Sequence, residues 1–226
     1  MKARPVLGWA AISLVAGVVV AAAQDVPNYK PPMRGAPGGR IGAAARSATT
    51  PVTLEPLSPD SHTGLTTSAS PTLYYYASRA VSLPVVLAIR APNEPRPLIE
   101  TTLPPPRAEG IYPLNLATYR AQLQPGILYT WSVSVTVDPR TPSDDVVASA
   151  TIMRVAADAA VDGAARTVPP ARRAAIYAQA GLWYEAVAAA VEGESADNHV
   201  ALDALLDQVG LVGVARFDRA AAKSGR

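Results

Sequence analysis

Leu123-Gln124-Pro125-Gly126-Ile127-Leu128-Tyr129-Thr130-Trp131-Ser132-Val133-Ser134-Val135-Thr136-Val137 is the stretch that decides the fold. Its second half alternates apolar and small polar residues, the period of a strand with one buried face. Its first half is a Pro-Gly turn with a leucine six residues ahead of the tyrosine that opens the strand. That spacing is the pattern of a tyrosine corner, in which the tyrosine hydroxyl bonds back to the backbone upstream. Trp131 falls on the core side of the same strand. Leu123, Tyr129 and Trp131 are therefore read as structural.

Working outward, six further β-rich or period-two runs cover residues 52–57, 72–78, 85–91, 98–103, 110–116 and 145–155. Proline punctuates the breaks, at Pro56, Pro59, Pro71, Pro92, Pro95, Pro104 to Pro106, Pro125, Pro139 and Pro142. It has no amide proton to give a ladder and collects at strand ends. Seven short strands in about 100 residues is the count of an immunoglobulin-like sandwich. The expected fold over residues 51–156 is a seven-stranded sandwich of that kind, with a likeness to fibronectin type III domains. Within residues 72–78, Tyr75 points opposite to Tyr74 and Tyr76 because strand side chains alternate.

Beyond Pro169-Pro170 the period changes to that of helices. Residues 172–180 and 183–192 are helix formers broken at Gly181, with Ile176, Ala180, Tyr184, Val187 and Val191 on one face. A third helix over 201–209 carries Leu202, Leu205, Leu206 and Val209, with Gly210 suited to its C-terminal cap and Asp197 or Asn198 to its start. The first two resemble a tetratricopeptide pair. A single such pair cannot bury its own face, so residues 169–211 are expected to lean on the sandwich or on another chain. Residues 212–226 read as a flexible tail. The fold class is mainly β with an α appendage.

Toward the N-terminus, Lys2 and Arg4 precede an almost wholly apolar run over residues 6–20, then Ala21-Ala22-Ala23 before Gln24. This is the form of a signal peptide cleaved after Ala23, and it places the mature chain in the periplasm or outside the cell. The run is short for a membrane span of about 20 residues, so no span is expected in the mature chain. Removing Lys2 and Arg4 from the 20 basic residues leaves them balanced against 18 acidic ones, and a neutral protein gives no electrostatic case for nucleic acid. The chain has no cysteine, which excludes disulfides and lipid attachment through a thiol. Residues 24–50 are rich in proline and glycine, with Lys30, Arg34, Arg40 and Arg46 against Asp25. They read as an extended or disordered basic arm, either a solvated linker or a tether for anionic envelope material.

Three stretches taken together carry a family likeness. They are Arg34-Gly35-Ala36-Pro37-Gly38-Gly39-Arg40; Gly64-Leu65-Thr66-Thr67-Ser68 with Pro71-Thr72-Leu73-Tyr74-Tyr75-Tyr76; and Tyr177-Ala178-Gln179-Ala180-Gly181-Leu182-Trp183-Tyr184-Glu185-Ala186. In this order, from Tyr29 to about Leu211, the chain resembles the bacterial domain of unknown function 928 family. The resemblance implies an exported protein and no reaction. It also implies a cysteine in the Gly-rich arm, where this chain has Arg40 and Ile41.

Catalytic chemistry is sparse. His62 sits beside Asp60 and Ser61 in a polar loop, but triad members normally come from distant chain positions, and no Gly-x-Ser-x-Gly occurs. His199 follows Asp197 and Asn198, and one histidine near one carboxylate is a poor zinc site; a helix start explains the cluster better. Asp144 and Asp145 are adjacent and diverge on a strand. The Gly-rich arm lacks the Gly-Lys-Ser/Thr ending of a phosphate loop. No catalytic residue, cofactor or metal is expected. The candidate contact residues are aromatic: Tyr75, with Trp183 and Tyr184, which lie about 100° apart on one helix and cannot both face one core. One of the two therefore lies in the helix–sandwich seam, the preferred reading, or is exposed as a contact. The leading expectation is a non-enzymatic exported module that binds another envelope protein. A carbohydrate-binding module using Tyr74 to Tyr76 or Trp183 as stacking platforms is the alternative, and a hydrolase built on His62 a distant third.

Overall fold

A computed structural model describes residues 26–32, 38–44, 52–136, 145–193 and 195–224. The expected signal peptide and its cleavage site, Arg34, Arg46 and Asp144 lie outside the described residues. The strands are β1 (Arg40–Ile41), β2 (Ala43–Ala44), β3 (Thr53–Pro56), β4 (Gly64–Thr66), β5 (Thr72–Ala77), β6 (Val85–Arg90), β7 (Ile99–Leu103), β8 (Gly110–Asn115), β9 (Leu128–Val135) and β10 (Val146–Arg154). A 3₁₀ turn at Leu116–Tyr119 follows β8. The helices are α1 (Ala159–Ala165), α2 (Pro170–Gln179), α3 (Trp183–Val191), α4 (Ala196–Gln208) and α5 (Val212–Ser224).

The strands form two sheets. One runs β1-β10-β9-β6-β7, and β4 pairs β10 in parallel; the other runs β2-β3-β5-β8. All seven strands read from the sequence are present, as β3, β5, β6, β7, β8, β9 and β10. Counted in that order, the first, second and fifth make one sheet and the third, fourth, sixth and seventh the other. A constant-type immunoglobulin sandwich divides its strands in the same way except for the fourth, which it places with the first, second and fifth. The opening stretch behaves as its alternation requires: Tyr129, Trp131, Val133 and Val135 are buried, while Thr130 is exposed and Ser132 and Ser134 are half-buried. Trp131 pairs with Ile89 and with Ala150, so a small partner on β10 leaves room for the indole. The Tyr129 hydroxyl accepts from the Gln124 amide at 3.2 Å, and Leu123 is wholly buried. The corner is closed.

Three strands were not legible. β1 and β4 share the outer edge of β10, β1 opposite Ser149 and Ala150 and β4 opposite Ile152 to Arg154. Between them they cover hydrogen-bonding groups that an open edge would expose. β2 extends the other sheet beside β3. Each is two or three residues long, too short to show a period. The arm is thus extended where it is described, and β1 and β2 carry it from one sheet to the other.

The helical region is larger than the sequence suggests. The 212–226 stretch, read as a tail, contains α5, whose Val214, Ala215 and Asp218 are buried against α4. Val212, Val214 and Phe217 are its large apolar residues, too sparse to show a stripe. α4 begins five residues before the expected start, and Ser195, not Asp197 or Asn198, caps it by accepting from the Asn198 amide. α1 was missed because seven residues rich in alanine carry no stripe; Asp158 caps it through the Ala160 amide. Gly210 ends α4 at φ +75°, a left-handed conformation that glycine adopts at little cost.

Candidate functional site

The residues singled out from the sequence converge on the seam where α3 enters the edge of the sandwich. Trp183 and Tyr184 are both buried, at 0% and 2% exposure, and so is Tyr75. As contact residues for a partner they are covered, which corrects the expectation. Their 100° separation does not force one into solvent because α3 lies in a notch with protein on both sides. The Trp183 indole donates to the Leu57 carbonyl at 2.9 Å. The Tyr184 hydroxyl accepts from the Trp131 indole at 2.9 Å and donates to the Thr151 carbonyl at 3.1 Å, with Ser58 Oγ 3.2 Å away. It thereby joins α3 to β9, which carries the core tryptophan, and to the neighbouring β10. Burial pushes the Tyr184 hydroxyl pKa up to about 12, so it stays protonated and able to donate.

Glu185, the next residue, is held by one oxygen. Its Oε1 accepts from the Thr66 hydroxyl at 2.7 Å and from the Thr67 and Ser68 amides at 2.8 and 3.2 Å. Two of the three stretches behind the family likeness, Gly64 to Ser68 and Gly181 to Ala186, are therefore the two halves of one clasp. A Cβ at Gly64 would lie 2.7 Å from the Tyr184 ring, and this close approach is why the position has no side chain.

All three tyrosines of β5 are buried because both faces of its sheet are covered. Tyr75 stacks with Tyr112 at 5.5 Å beside Leu73 and Ala77, while Tyr76 meets Phe217 of α5 at 5.5 Å on the opposite face. The platforms that carbohydrate stacking needs are inside the protein.

His62 sits at the same seam. Its Nε2 shares a 2.8 Å hydrogen bond with the Tyr29 hydroxyl, and Ser61 Oγ lies 3.3 Å from Nδ1. Both ring nitrogens are engaged, and burial lowers its pKa against the opposing pull of Asp60. Tyr29 packs edge-on against Trp183 at 4.9 Å. The chain around it is strapped to the helices: the Tyr29 amide donates to Gln208 Oε1 at 2.8 Å and the Lys30 amide to the Ala178 carbonyl at 3.0 Å. Arg40, read as part of a basic tether, donates to the Ser58 and Val209 carbonyls and pairs with Glu55 at 3.5 Å.

His199 has a partner the sequence did not reveal. Its Nδ1 lies 2.8 Å from Asp218 Oδ2, a residue of α5 in the stretch read as a tail. Beside them, burial and the charge of Asp218 raise the Asp203 carboxyl to about 6. Among the described residues no three histidines or acids gather as metal ligands do.

The His199–Asp218 pair lies in the wall of a cleft of about 750 Å³ between β8 and the helices α3, α4 and α5. Ile111, Val191, Leu202 and Phe217 give it an apolar lining, and Glu109 stands on the strand side. The Tyr76 hydroxyl donates to Glu109 Oε1. No spacing in the sequence announces this cleft, because its strand wall at Ala108 to Ile111 lies far along the chain from its helical walls at Ala190 to Ser224, and only the fold brings them together.

No curated protein and no solved structure matches the chain. Residues 36–217 match the family model described as Domain of Unknown Function (DUF928).

Proposed function

The chain belongs to the Domain of Unknown Function (DUF928) family, and from that premise we propose that it acts outside the cytoplasm as a non-enzymatic binding module whose recognition surface is the cleft between β8 and α3 to α5. The cleft is the observation that carries the reading. Its volume, about 750 Å³, is in the range of pockets that enclose a ligand or a partner's side chains. It combines an apolar floor with a few polar groups, the usual composition of a recognition site. Among the described residues, Trp131, Trp183, Tyr184 and the three tyrosines of β5 are consumed by internal packing. Export rests on the apolar run at residues 6–20 and the small residues Ala21 to Ala23. The partner class is another envelope protein.

Site-specific photocrosslinking in intact cells of the natural host tests the reading. A photoreactive residue at Ala108, on the cleft rim, is expected to give a discrete adduct in the envelope fraction. The same residue at Thr102, exposed on β7 and away from the cleft, is expected to give none. Equal labelling at both positions, none at either, or a chain found in the cytosol with residues 1–23 retained would overturn it.

A further inference from the structure

We infer that the cleft recognises an organic cation with an aliphatic body, an ammonium or guanidinium group carried on an apolar stem. The inference rests on the cleft being the recognition surface and adds the chemistry of what enters it.

The argument starts from sign. Among the described residues, the charged and titratable groups in the wall are Glu109, Asp218 and His199, with no lysine or arginine beside them. His199 pairs with Asp218 through Nδ1. If His199 is protonated, that pair cancels and Glu109 leaves the wall negative; if it is neutral, both carboxylates count. The wall is negative in either case. The C-terminal end of α3, through Ala190, Val191 and Gly193, also faces the cleft, and a helix C-terminus carries the negative end of the backbone dipole.

Geometry adds to this. Each carboxylate is held by one oxygen, Glu109 Oε1 by the Tyr76 hydroxyl and Asp218 Oδ2 by His199. The side chains are oriented, and among the described residues no hydrogen bond reaches the second oxygen of either. An acceptor positioned in advance loses little freedom on binding. Phe217 lines the same wall, and a ring face attracts a cation within about 6 Å. The remaining surface, Ile111 and Val191 among it, suits methylenes. An anion would meet two carboxylates, and a neutral amphiphile would leave their charge partly desolvated and unpaired.

Isothermal titration of the full mature chain with n-octylammonium, n-octanoate and 1-octanol reads the inference directly. Octylammonium is expected to bind, with octanoate and octanol at least tenfold weaker. Glu109→Gln keeps an acceptor for Tyr76 and is expected to weaken octylammonium about tenfold; Asp218→Asn is expected to act the same way. A capped Ala-Leu-Lys-Leu-Ala peptide presents the same chemistry on a chain, and its affinity relative to octylammonium tells a protein-borne cation from a free amine. Equal binding of octanoate or octanol, no binding of either cation, or binding unaffected by Glu109→Gln would overturn the inference. The photocrosslinking at Ala108 stands apart from these titrations, so the cleft can survive as a protein contact while the cation reading fails.

Discussion

At Tyr184 one hydroxyl serves three partners, and its loss is felt by all of them. Tyr184→Phe leaves the Trp131 indole N–H buried without its acceptor, and a buried donor stripped of its partner costs about 1–3 kcal/mol. Urea denaturation is expected to show that loss as a lower midpoint with an unchanged slope; a variant as stable as the parent would show the hydrogen bond to be idle. Asp203 offers a residue-scale test with the opposite sign. Its carboxyl titrates near 6 in the folded chain, above its ordinary 3.8, because burial and Asp218 disfavour the anion. One of its oxygens is buried without a partner. A raised folded pKa means the group favours the folded state below about pH 3.8 and that this contribution is lost as pH rises through about 6. Asp203→Asn removes the buried anion, so its melting temperature is expected to exceed the parent's at pH 8 and to converge on it near pH 4. A gain that is the same at both values would point to packing instead.

At the scale of elements, the clasp between β4 and α3 explains why a three-residue strand exists at all. Gly64 lets the Tyr184 ring pass, and Thr66 to Ser68 close on Glu185. Gly64→Ala places a methyl 2.7 Å from a buried ring and is expected to destabilise by about 1–3 kcal/mol, the usual cost of overpacking. Gly163 is the control. It lies inside α1 with nothing within 4 Å of an added Cβ, so Gly163→Ala is expected to stabilise by about 0.5–1 kcal/mol through helix propensity. Thermal melts of the two variants should move in opposite directions; both falling would mean that α1 is not helical in solution. The two glycines look alike in the sequence. Only the neighbouring element distinguishes them.

Across the whole molecule, the helices and the sandwich share one core. Tyr184 reaches Trp131, Trp183 reaches Leu57, and the Tyr29 strap ties α2, α4 and His62 together. Calorimetry is therefore expected to show a single transition, with the van't Hoff and calorimetric enthalpies equal; two resolved peaks would show the helical region to be separate. Much of this was legible beforehand. The alternation from Leu128 to Val135, the prolines between runs and the spacing of Leu123 and Tyr129 dictated the seven strands, because a strand with one buried face imprints its period on its own residues. Helical stripes placed α2, α3 and most of α4 for the same reason. What the chain could not announce was which surfaces meet. Trp183 and Tyr184 read as one core residue and one lying either in the helix–sandwich seam or exposed as a contact, until the notch covered both, and His199 gained Asp218 only when α5 folded back on α4. Local periodicity is written within about ten residues. A seam, a clasp or a cleft depends on atoms brought together from distant positions, so tertiary packing alone chose them.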